Sequence, residues 1–200
     1  MRKPSLAVVF SLSCSALAFA TPASAQNAGA PPPPPPPHHT DGVRFRGAIA
    51  LAGGGEFGSG GGVSYGGGLG GLEGRLGVQI NNLIGIYVQP SLAFGPLTET
   101  QGASSVTGAT GTAGATALVD FTFVNRFFVA AGGGAGILNN PFGPEIHFRL
   151  GGYPLVGYGE NGYTRKGLMV GVDTHVFFLS SPGAPSTMVQ IMGTVGYEVF

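Results

Sequence analysis

From Gly42 onward, apolar and polar residues alternate with a period of two in eight separate stretches. Successive side chains of a strand point to opposite faces, so this period predicts strands with one apolar and one polar face. The stretches cover about 43–52, 72–81, 84–94, 116–124, 127–138, 146–153, 167–178 and 188–200. Their apolar faces include Phe45, Ile49 and Leu51 in the first, Leu72, Leu76 and Val78 in the second, and Ile191, Val195 and Tyr197 in the last. Each is near the 9–11 or so residues that a tilted membrane-spanning strand requires. The links at 81–83 and 124–126 are short and that at 156–163 is moderate. The intervening links, within 53–62, 95–115, 139–145 and 180–186, read as longer loops, with 95–115 the longest. Short turns at one end and longer loops at the other are the pattern of an even-stranded, membrane-spanning barrel.

Charge supports the same architecture. Only 9% of the chain is charged, where an ordinary soluble domain carries about 25%. Arg44, Arg46, Arg75 and Arg149 share the minority face with Glu73, Asp120, Asp173 and Glu198, and His147 and His175 lie there too. Four positive charges against four negative ones fit a filled, salt-bridged interior. The other charges beyond residue 25 (Asp41, Glu56, Glu99, Arg126, Glu145, Glu160, Arg165 and Lys166) read as belonging to links or strand edges. A soluble ligand-carrying barrel would instead put abundant Lys and Glu on its polar face. The expected fold is all-β: an eight-stranded antiparallel up-and-down transmembrane β-barrel with a filled polar interior, over residues 42–200. Aromatic residues fall in two bands, with Phe45, Phe123, Phe127 and Tyr197 toward one boundary and Phe94, Phe148 and Phe178 toward the other.

The N-terminal segment reads as export machinery. Arg2 and Lys3 precede an apolar run over 6–20, and Ala23-Ser24-Ala25 supplies the small residues of a cleavage site, which predicts a secretory signal over 1–25. The one cysteine, Cys14, falls within it, so neither disulfides nor cysteine-ligated metals are expected. Residues 26–41 form a Pro-rich linker, in which Pro31 to Pro37 predict a polyproline II rod about 20 Å long. His38 and His39 after it read as solvated linker residues.

Three motifs invite a chemical reading. Gly66, Gly68 and Gly71 in "GGGLGG" have dinucleotide-loop spacing, but that spacing needs a following helix, and a bulge or close strand approach fits better. Asp173 and His175 share a face, with Ser180 and Ser181 beyond them, yet a lumen ion pair explains the first two without a triad. His147 and His175 with Asp173 have no short-spaced metal-binding cluster around them. The residues therefore point to no catalytic, cofactor or metal site.

With the signal ending "ASA", the alternating strands and the C-terminal "GTVGYEVF", the chain resembles the small eight-stranded outer-membrane proteins of the OmpA/OmpX type over residues 42–200. The resemblance implies a place in the Gram-negative outer membrane, with the linker periplasmic. It also implies outer-membrane lipids and the barrel-assembly machinery as partners, the latter reading Tyr197 and Phe200. One departure stands out. Strict alternation puts Tyr197 and Val199 on the lipid side and Phe200 on the other, which a frayed or bulged last residue would reconcile. A monomer in a structural or surface-interaction role, displaying its loops, is the leading expectation. A narrow or gated pore is the alternative, and a lipid-modifying enzyme a third. Zero net charge offers nothing to attract nucleic acid, and no motif specifies a surface ligand or a peptidoglycan contact.

Overall fold

The computed structural model describes residues 42–124, 126–158, 164–180 and 185–200. The chain divides into two units, Met1–Pro34 and Pro35–Phe200. The expected signal and Pro-rich linker lie outside the described residues.

Eight strands follow in order: β1 (Arg44–Gly60), β2 (Val63–Gln79), β3 (Ile84–Gln101), β4 (Ser104–Phe123), β5 (Phe127–Leu138), β6 (Phe142–Tyr158), β7 (Arg165–Phe178) and β8 (Thr187–Val199). Each pairs antiparallel with the next, and β8 pairs with β1. The sheet thus closes into an up-and-down barrel with no lateral edge along its paired length. Below, the lower end is the one at which β1 begins, and the upper end carries the β1–β2 and β3–β4 turns.

The expected faces hold on every strand. Phe45, Ile49, Leu51, Leu72, Val88, Phe121, Phe148, Leu150, Val170 and Tyr197 are all exposed on the outside, and all seven aromatic residues of the two expected bands point outward. Arg46, Glu73, Arg75, Asp120, His147, Arg149, Asp173, His175 and Glu198 are buried inside. One register shift interrupts the ladder, in β6–β7 between Gly152 and Leu155. It turns both Pro154 and Leu155 outward, while Tyr153 stays buried. Of the two readings of "GGGLGG", close strand approach holds and the bulge does not: β1 and β2 keep one register from end to end, and a Cβ at Gly67 or Gly71 would run into the backbone of β3. Leu69 points into the lumen and is 6% exposed, and its odd number places it on the face of Glu73 and Arg75.

Strand lengths correct the sequence reading. The stretch 53–62 is strand up to Gly60, then a two-residue turn at Gly61 and Gly62, both with positive φ, as a type I′ hairpin requires. Residues 95–115 form no loop. β3 and β4 run through them and meet at Gly102–Ala103, where Gly102 has φ 58°. Likewise 142–145 belongs to β6. The first two segments are rich in Gly, Ser and Thr and carry little apolar alternation, so their pairing rests on the backbone, which side-chain patterning does not report; 142–145 is cut short in the sequence by Pro144. At the lower end the expected turn at 81–83 is present. Asn81 Oδ1 accepts from the backbone N–H groups of Leu83 and Ile84, both at 2.8 Å, an Asx turn.

Candidate functional site

The lumen gathers nearly every charge of the described residues. Arg46 is its most connected member. It donates to Asp120 Oδ1 at 2.8 Å and Gln79 Oε1 at 2.9 Å, to the Tyr153 hydroxyl at 3.1 Å, and through Nε to Glu198. Gly85 makes the approach possible, since a Cβ there would sit 2.4 Å from Arg46 Nη1. Arg75 donates to Gln89 Oε1 at 2.9 Å and to Glu198 Oε2 at 3.1 Å. Gln89 in turn donates to Glu73 Oε2 at 2.9 Å. Arg149 lies 2.9 Å from Asp173 Oδ1 and donates to the Tyr87 hydroxyl at 3.1 Å. Ion pairs withdrawn from water are costly to form and costlier to break, because removing one partner strands the other.

Above these arginines the chemistry changes. His147 lies 2.9 Å from Thr116 Oγ1 through Nδ1 and 3.1 Å from Asp173 Oδ1 through Nε2. Its ring stacks on that of His175 at 3.9 Å. His175 Nδ1 bonds Glu145 Oε1, and its Nε2 lies 3.8 Å from Glu73 Oε1. Glu56 accepts from Gln190 at 3.1 Å. Among the described residues, Glu145, His147 and His175 are the group placed to share a metal ion. Asp173 is engaged by His147 and Arg149, while His175 is engaged by Glu145. Asp173 therefore does not orient His175, and Ser180 is exposed, so the triad geometry is not assembled from these residues. Ser181 lies outside the described residues.

Several placements revise the sequence reading. Arg44 is only half-buried at the lower mouth and donates to Asn82 Oδ1 at 3.1 Å, not to a carboxylate. Asn82 also accepts from Arg165 at 2.8 Å. Glu56, Glu145 and Arg165, expected in links or at strand edges, are buried within the barrel. Parity held the missing signal: Glu56 shares the even numbering of Arg44 and Arg46 on β1, and Glu145 stands two before His147 on β6. Strand ends drawn too short excluded them. The expected balance of four against four thus becomes six buried carboxylates (Glu56, Glu73, Asp120, Glu145, Asp173, Glu198) and four buried arginines (Arg46, Arg75, Arg149, Arg165).

Phe200 neither frays nor bulges outward. Its backbone pairs with Arg165 in both directions, at 2.7 and 2.9 Å. Its ring is buried, stacked on Tyr153 at 4.6 Å and lying beneath the Arg46 guanidinium. Buried apolar clusters lie toward both ends of the lumen. Tyr65, Leu97, Leu138, Phe177, Leu179 and Met188 cluster at the upper end. Ala50, Phe128, Tyr153, Met169 and Phe200 cluster toward the lower end.

No protein-family model matches the sequence, and no curated protein matches it. Among solved structures the chain is similar to the outer membrane protein OprG from Pseudomonas aeruginosa, at 9% identity and a TM-score of 0.39, over 76% of this chain and 95% of that one. A superposition so loose adds nothing to the strand order and register described above.

Proposed function

We propose that the chain spans a Gram-negative outer membrane as a filled barrel of the OmpA/OmpX type, with a structural or surface-presenting role. The observation that carries this reading is the inversion of polarity. The outside bears Phe45, Ile49, Leu51, Leu72, Val88, Leu150 and Val170, and the charges are inside. Water would penalise that outer surface, and a hydrocarbon layer suits it. The described exposed charges, Glu99, Arg126 and Lys166, sit at the ends of strands, where headgroups and water begin. No helix among the described residues is long and apolar enough to cross a membrane, which has no bearing on a barrel that crosses with strands.

Among the described residues, what such a barrel presents furthest is the β3–β4 hairpin. From Glu99 to Ala109 both faces of the β3–β4 ribbon are exposed, and Thr98 and Thr107 share a hydrogen bond of 2.9 Å across it. The apolar cluster at each end of the lumen favours a closed barrel over a conducting one. Lipids would contact the outer belt, and Tyr197 with Phe200 would serve as the element read during assembly.

Membrane fractionation tests the placement. The protein is expected with outer membranes, migrating differently on gels before and after boiling, and recovery as a soluble periplasmic protein would overturn the reading. In planar bilayers the purified protein is expected to give no conductance steps, and stable single-channel currents would replace the closed barrel with the pore. An unchanged lipid profile after deletion of the gene separates both from a lipid-modifying enzyme.

A further inference from the structure

The upper lumen has carboxylates that no arginine reaches. Arg46, Arg75 and Arg149 serve Asp120, Glu198, Glu73 and Asp173. Glu145 meets histidine alone in its ion pairing. We propose that Glu145, His147 and His175 bind one divalent transition-metal ion of the zinc class inside the barrel.

The topology builds the site. Glu145 and His147 stand two apart on β6 and so point to the same face. His175 lies directly opposite His147 in the β6–β7 register. One donor atom from each of the three lies within 4.8 Å of the other two, and all three residues are buried. Two further features point to a missing ligand. Glu145 Oε2 and His175 Nε2 have no hydrogen-bond partner, although their residues are 2% and 1% exposed. Buried polar atoms are nearly always satisfied, and an ion held by this trio would satisfy both. The supporting contact is also present. Asp173, held by Arg149, accepts from His147 Nε2–H, which leaves Nδ1 as the nitrogen that would bind a metal in place of the Thr116 hydroxyl now 2.9 Å from it. Metal-bound histidines commonly give their other N–H to a carboxylate in this way.

Donor chemistry selects the class. Two imidazole nitrogens and one carboxylate suit Zn2+ and its transition-metal neighbours, whereas Mg2+ and Ca2+ take oxygen shells. Three protein donors leave a fourth position for water. Gly114 on β4 faces the same carboxylate, since a Cβ there would come within 2.8 Å of Glu145 Oε2.

The full chain carrying His38→Ala and His39→Ala, which removes the linker histidines as competing ligands, tests the site. Folded in detergent, stripped with chelator and dialysed against Zn2+, it is expected to retain one zinc per chain. X-ray absorption at the zinc edge is expected to give two imidazoles at about 2.0–2.1 Å. Glu145→Gln, His147→Gln and His175→Gln should each weaken zinc binding by more than the roughly 10-fold that loss of a supporting residue costs, while Glu56→Gln leaves it unchanged. No zinc retained by the folded linker variant would overturn the proposal and leave a protonated His175 as the group that bridges the carboxylates. Undiminished binding in both His147→Gln and His175→Gln would overturn it as well. If those variants fail to fold, by loss of the gel-mobility difference, the absorption spectrum of the linker variant decides alone, and fewer than two imidazoles overturns the site.

Discussion

The lower and upper halves of one lumen solve the same problem in different ways. Both bury charge inside a ring of strands whose outside is apolar. In the lower half, guanidinium groups do the work: Arg46 alone joins Asp120, Glu198, Gln79 and Tyr153. In the upper half there is no such hub, and Glu56 and Glu145 rest on an amide and an imidazole. A guanidinium offers five donors in a rigid fork and is always charged, so it can bind several strands permanently. Histidine and glutamine offer fewer donors, and no described arginine pairs with Glu56 or Glu145. The lower lumen is thus built as a fastening, and the upper holds carboxylates without a permanent counter-charge.

Removing the hub should give the largest effect. Arg46→Ala is expected to destabilise the barrel by about 3–5 kcal/mol, the cost of breaking a buried pair from one side. Asp120→Asn should restore part of the loss. Asp120 Oδ1 keeps only the Thr122 hydroxyl once the guanidinium is gone, whereas Glu198 keeps Arg75 and Tyr153. Urea titrations in lipid vesicles measure both, and a silent Arg46→Ala would break the contrast between the halves.

A charge on the outer wall should cost somewhat less and behave differently. Ile49, 65% exposed on β1, faces the belt, and Ile49→Arg is expected to cost about 2–4 kcal/mol near the midplane of a bilayer. Folding yield into vesicles should fall, with no rescue from Asp120→Asn or any other lumen change. Rescue from inside would mean that β1 has been assigned the wrong faces.

Two smaller effects sharpen the contrast. Tyr153→Phe removes a donor to Glu198 at 2.9 Å and an acceptor for Arg46 at 3.1 Å. Hydrogen bonds to charged groups are worth about 1.5–3 kcal/mol, and the same urea titration should find a loss in that range. Glu56→Gln should shift stability by less than about 1 kcal/mol, because it removes a buried charge that no arginine offsets while keeping the shape and most of the hydrogen bonding. A loss as large as that of Arg46→Ala would mean that the upper lumen is fastened after all.

Apart from the β6 irregularity after Gly152, which way the strand side chains face was legible in the sequence. The strand period is two, so one correctly placed residue assigns a whole strand, and Arg46, Glu73, Asp120, Asp173 and Glu198 all lie inside as their numbering implies. The Asn81 turn was legible for a similar reason, since the side chain that makes it sits within the turn itself. Tertiary structure alone decided the rest. Arg46 meets Asp120 and Glu198, 74 and 152 residues away, because ring closure and strand tilt set which positions share a level, and no local pattern encodes either. Strand length depended on backbone pairing in Gly-, Ser- and Thr-rich segments such as 95–101 and 104–111, where side chains carry no alternating signal. Glu56 lies in such a segment and Glu145 directly after Pro144, so neither shows its lumen place in the local pattern. Parity alone puts Phe200 on the lumen face, and what the tertiary structure adds is the backbone pairing with Arg165 that keeps the last residue from fraying.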